Sequence, residues 1–76
     1  MKKAEIGQYL ARRRKSLELN QRELAKLSGI SLHSLCNIER GESNPTIDAL
    51  LAVTDVLGLE FSLSPRNMEL VSGDGR

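Results

Sequence analysis

A single cysteine and a single histidine are all that this 76-residue chain offers of the side chains that most often carry metal or redox chemistry. One cysteine cannot close an intramolecular disulfide, so nothing ties the chain to an oxidising compartment. One histidine cannot supply a metal cluster: His33 and Cys36 lie three apart, but two ligands fall short of the three or four that zinc sites use. A Ser-His-Asp set would have to rest on that same histidine, and there is no glycine-rich phosphate loop. No cofactor and no enzymatic activity are expected. Long apolar runs are also missing. No window approaches the 18 or so residues of a membrane span, and MKKAEIGQYLARRRK meets Glu5, Gln8 and a basic run before any apolar stretch of signal-peptide length. A cytoplasmic protein without a membrane partner is the expectation.

What is present suits one small domain. The composition is that of a globular chain, 39% hydrophobic and 28% charged with a net charge of +1. A core of this size is thin, which makes a partner copy an early expectation. The small net charge hides an asymmetry. Residues 1–40 hold nine Lys or Arg against four Glu, and residues 41–76 hold two Arg against six Asp or Glu, giving +5 and −4. A basic half fits a polyanion, although a solvated helix face accounts for such clusters equally well.

The apolar spacing predicts helices. Ile6, Leu10 and Leu17 form the stripe of an amphipathic helix over residues 4–17, with the basic run Arg12 to Lys15 beside it. Asn20 and Glu23 have the spacing of a capping box, and the helix they open, with Leu24 and Ala25 inward, stops at Ser28-Gly29. Only Gly29 and Ile30 separate that stop from Ser31, the next N-cap candidate. Two short helices joined so tightly cross steeply, as in a helix-turn-helix. The third helix is LHSLCNIER, closed by Gly41, with Ser34, Leu35 and Ile38 assigned to the core side and Leu32, His33, Cys36, Asn37 and Arg40 to the other. Pro45 and Thr46 place a fourth start near Thr46; Ile47, Leu50, Leu51, Val53, Thr54 and Leu57 give it a broad apolar face, and Gly58 ends it.

After Gly58 the period drops to two, with Leu59, Phe61 and Leu63 alternating with Glu60, Ser62 and Ser64 before Pro65. This reads as a strand with no second strand in the chain to pair with. Antiparallel pairing across a two-fold dimer is the simplest closed solution; packing within the chain, as an extended arm or short helix, is the alternative. Burying the three side chains contributes about 1.5–3 kcal/mol each, against an association cost of about 4–15 kcal/mol. Contacts from the fourth helix would have to help. Residues 66–76 are polar and glycine-containing, and a largely disordered tail is expected there. Its Met68, Leu70 and Val71 are a small apolar group that could order on a partner.

An α-helix fits the DNA major groove, where each base pair shows a distinct set of donors, acceptors and methyl groups. In a helix-turn-helix the second helix of the pair enters that groove. The outer face of residues 32–40 is therefore a candidate reading face: Leu32 for a thymine methyl, Asn37 for adenine, His33 to donate to or accept from a base edge or phosphate. Arg40, the Ser31 hydroxyl and the helix start at Asn20 and Gln21 are placed for the DNA backbone.

Gln21, Glu23-Leu24-Ala25, the Gly29-Ile30-Ser31 turn, Ile38-Glu39-Arg40-Gly41, Asn44-Pro45-Thr46, Leu50-Leu51 and Leu57-Gly58 together resemble the Cro/cI-type (XRE) helix-turn-helix proteins over about residues 4–58. The resemblance implies an all-α, lambda-repressor-like domain over residues 1–58, to which the residues themselves add a dimerisation strand at 59–65 and a tail at 66–76. It implies a phosphate contact at Gln21, base-facing positions at Leu32, His33 and Asn37, and a buried ion pair between Arg14 and Glu39. Arg13 and Leu27 depart from the residues many relatives carry there, and LEFSLSP stands where they have a fifth helix. That strand is similar to the HipB-like antitoxin branch, whose members dimerise through it, repress their own operon and hold a HipA-like kinase toxin. The expected function is a homodimeric repressor of double-stranded, palindromic operator DNA, as such an antitoxin or as a standalone regulator. A protein-interaction scaffold without DNA activity, using an exposed Leu27, is the competing class.

Overall fold

The first and last turns of each helix carry the fold's instructions. The computed structural model describes residues 2–65, and the expectations for the tail, including Met68, Leu70 and Val71, lie outside them. Four helices follow one another: α1 (Lys3–Ser16), α2 (Gln21–Ser28), α3 (Leu32–Arg40) and α4 (Ile47–Val56). This is the expected all-α arrangement. None of the described helices is long and apolar enough to cross a membrane.

Asn20 caps α2 reciprocally: its Oδ1 accepts from the Glu23 amide at 2.7 Å, and Glu23 Oε1 accepts from the Asn20 amide at 2.8 Å. Ser31 and Thr46 do the first half of this for α3 and α4, accepting from the amides of Ser34 and Ala49 at 3.0 Å each. Asn20→Ala should destabilise the domain by about 1 kcal/mol. Thermal unfolding should register it as a midpoint lowered by roughly 4–8 °C.

Gly29 ends α2 at φ 74°, and the following amide, Ile30, bonds back to the Ala25 carbonyl at 3.1 Å. A Cβ on Gly29 would meet nothing within 4 Å, so the left-handed backbone, not space, calls for glycine there. This turn throws α3 across α2.

The core is aliphatic and drawn from every helix: Leu10, Leu24, Ala25, Leu35, Ile38, Val53 and, just past α4, Leu57, with Ile6, Leu19, Ile30, Leu50, Val56 and Leu59 around its margin. Where α1 crosses α3, a buried Gly7 lets the helices approach so closely that a Cβ there would run into the Ile38 and Glu39 carbonyls. Beneath that crossing lies a buried charge pair. Arg14 Nε donates to Glu39 Oε2 at 2.8 Å and Nη2 to Oε1 at 3.1 Å, while Nη1 reaches the Leu19 carbonyl at 2.9 Å. Arg13 Nε donates to the Leu57 carbonyl at 2.9 Å, fastening the end of α4 to α1.

Several assignments change. Leu17 lies one residue beyond α1 as its C-cap and is exposed, because the chain turns there through Glu18 at φ 60° rather than continuing the stripe. Ser34 is exposed rather than core, since it faces its own N-cap: Ser31 Oγ donates to Ser34 Oγ at 2.8 Å. Ile47 and Leu51 of α4 are also exposed, because the core takes only the Val53–Leu57 side of that helix. Residues 59–65 run without helix or ladder; Leu59 packs on the core margin, Phe61 is half-exposed and Leu63 is 99% exposed.

Candidate nucleic-acid interface

The α2-turn-α3 unit presents one face of α3 to solvent, and on it the helical spacing of four and three lines up His33, Asn37 and Arg40. They are joined. Asn37 Nδ2 lies 3.1 Å from His33 Nε2, and Arg40 Nη2 donates to Asn37 Oδ1 at 2.8 Å. Arg40 Nε in turn donates to Glu42 Oε1 at 2.9 Å. That carboxylate raises the Arg40 pKa, through its hydrogen bond first and its charge second. Glu42 was not among the residues the sequence singled out; its opposite charge two positions past Arg40 was the available signal.

The other candidate residues sit around this row. Leu32 is half-buried at the first position of α3. The Ser31 hydroxyl is already engaged with Ser34 as cap and donor, and Asn20 is engaged in its capping box. Gln21, at the first position of α2, is held by both ends of its amide. Nε2 donates to Glu39 Oε1 at 2.9 Å, and Oε1 accepts from Cys36 Sγ at 3.4 Å. The buried pair below thus orients a half-buried amide at the rim of the candidate reading face. Cys36 has a structural contact here, and among the described residues no group of three or more His, Cys, Asp or Glu could hold a metal ion.

The basic run of α1 divides by role. Arg14 is buried against Glu39 and Arg13 is bonded to Leu57, leaving Arg12 and Lys15 exposed, with Arg22 and Lys26 exposed on α2. Neutralising phosphate needs such accessible cations. Leu27, exposed at 61%, is the one large apolar side chain of α2 at the surface.

Comparison with known proteins fits this geometry. The Helix-turn-helix (HTH_3) family matches residues 10–63. The chain is 46% identical over 52 residues to the HTH-type transcriptional regulator DicA of Escherichia coli (strain K12), covering 68% of this chain and 38% of that one. It is 37% identical over 57 residues to the immunity repressor protein of Bacillus phage phi105, covering 75% of this chain and 40% of that one. Among solved structures it is similar to the restriction-modification controller protein C.AhdI from Aeromonas hydrophila, with a TM-score of 0.73 and 31% identity over 76% of this chain and 88% of that one. The chain spans about a third to a half of the length of such curated relatives.

Proposed function

Because the chain belongs to the HTH_3 helix-turn-helix family of transcriptional regulators, we propose that it is a sequence-specific repressor that binds palindromic double-stranded DNA as a homodimer. The carrying observation is the hydrogen-bonded row of exposed His33, half-buried Asn37 and exposed Arg40 on the second helix of the motif. Two copies of α3 related by a two-fold axis enter major grooves on one face of the duplex. Gln21 and the amides at the start of α2 take a phosphate, as do the outward donors of Arg40, while His33, Asn37 and Leu32 read bases. Repression follows from occupying promoter DNA.

A thin core supports dimerisation, and so does the apolar surface it leaves open. Phe61 and Leu63 stand out from the extended segment, with Ile47 and Leu51 of α4 and Tyr9 of α1 also exposed. Antiparallel pairing of residues 59–64 between copies would satisfy the backbone of that segment and cover Leu63. A narrower reading as a HipB-like antitoxin rests on this segment alone and would add a kinase-like toxin as a second partner.

Selection from a random duplex library with the purified chain should enrich a palindrome whose half-sites lie about one helical turn, roughly 10 bp, or a multiple apart. Affinity for the selected site should fall steeply with salt, by about 10³-fold or more between 50 and 200 mM if six phosphates are neutralised. Retention of no duplex at low salt would defeat the DNA reading and favour a scaffold built around Leu27. Enrichment of a single, non-repeated half-site would defeat the dimer.

A further inference from the structure

The row on α3 has a direction, and its chemistry leaves no choice about it. Arginine offers only donors, so the Asn37 atom facing Arg40 Nη2 at 2.8 Å must be the amide oxygen. The amide nitrogen then faces His33 Nε2 at 3.1 Å, and since that nitrogen brings hydrogens, Nε2 must accept. An imidazole that accepts at Nε2 is neutral and carries its proton on Nδ1. Turning the Asn37 amide over would set nitrogen against guanidinium at one end, so the order cannot reverse while Arg40 is in place. Glu42 holds Arg40 there, accepting from Nε at 2.9 Å.

We infer that Arg40, braced by Glu42, is a positioning residue for base recognition: it fixes the amide orientation of Asn37 and thereby the Nδ1–H tautomer of His33, making His33 a donor-only reader. This rests on the DNA-reading function proposed above. Two consequences follow at the base edges. His33 selects a base with major-groove acceptors, guanine before adenine or thymine, and rejects cytosine, whose edge offers a donor amine. Asn37 faces the groove with its donor side toward the start of α3 and its acceptor side toward the end. It therefore matches the N7 acceptor and N6 donor of adenine in one orientation only.

His33 is the sole histidine of the chain, so its ring nitrogens give an unambiguous long-range ¹H–¹⁵N correlation in the intact, free protein. At about pH 8, where an ordinary imidazole is neutral, the expected spectrum has a protonated Nδ1 and a bare Nε2. Arg40→Met keeps an unbranched apolar stem and removes every donor, and should give a mixture of tautomers while the backbone amide spectrum stays that of the folded domain. A protonated Nε2 in the parent chain, or an unchanged tautomer in Arg40→Met, overturns the relay. Library selection is the second arm: the base opposite His33 should disfavour cytosine by about tenfold, and Arg40→Met should lose that preference. A parent chain that retains sequence-specific DNA but is indifferent at this base overturns the reading role. Failure of all duplex binding with the Nδ1–H tautomer intact refutes the proposed function instead, leaving the relay as a feature of the fold.

Discussion

Glu39→Ala should unfold the domain at temperatures where the parent is stable, with a loss of about 3–5 kcal/mol. Glu39 and Arg14 have side chains only 6% and 9% exposed, and they meet through two hydrogen bonds of 2.8 and 3.1 Å. Removing the carboxylate leaves a buried guanidinium with only the Leu19 carbonyl as a partner. It also strips the Gln21 amide of its acceptor. The cost is that of an uncompensated buried charge, which exceeds what the intact pair itself contributes. Replacing both residues with apolar side chains of similar length, Arg14→Met with Glu39→Leu, should therefore recover much of the loss. Urea unfolding of the parent, the single variant and the double variant measures this, since the midpoints should fall in the order parent or double, then single. A double variant no more stable than Glu39→Ala would show that the pair contributes through its hydrogen-bond geometry.

Gly7→Ala should come next in magnitude, lowering stability by about 1–3 kcal/mol, although alanine is favoured over glycine in a helix interior by about 1 kcal/mol. The sign reverses because the added Cβ meets the Ile38 and Glu39 carbonyl oxygens, which are backbone atoms of α3 and cannot rotate away. Relief requires α1 and α3 to move apart. That displacement would loosen the seat of Leu10 and Ile38, both nearly fully buried. Calorimetry should show the midpoint falling by roughly 5–20 °C for a domain of this size. The same change at Gly29, where space is open but φ is 74°, tests conformation alone and should cost less. A Gly7→Ala protein as stable as the parent would mean that the helices have slack at their crossing.

The sequence showed the helices and most of the core because both follow from local rules. The caps Asn20, Ser31 and Thr46, the glycine stops at Gly29, Gly41 and Gly58, and the spacing of Leu24, Leu35, Ile38 and Leu57 are all read within a few residues. Part of what escaped is local, the turn at Glu18 that leaves Leu17 outside α1 and the bond that turns Ser34 to its cap, and the rest depends on contacts between distant segments. Gly7 looks like a weak point of a helix until α3 is laid across it. Ile47 and Leu51 share spacing with true core residues, and only the crossing of the helices decides which side of the apolar arc is covered. The candidate site divides likewise. Its row of side chains is visible in helical spacing, whereas the direction of the hydrogen bonds along it needs Glu42, which lies beyond the end of α3.

One carboxylate oxygen, Glu39 Oε1, accepts from both Arg14 Nη2 and Gln21 Nε2. For the history of such a protein this separates two kinds of change. His33 and Asn37 bond to each other and to Arg40 and are not among the core residues, so under the DNA-reading function proposed above the set of operators recognised is free to drift by substitution there with little effect on the fold. Gln21 has less freedom, because its orientation is inherited from the carboxylate of a buried pair that cannot lose one member alone without destabilising the fold. Under the proposed function, descendants of this chain should therefore diverge in what they read long before they diverge in how they grip the DNA backbone.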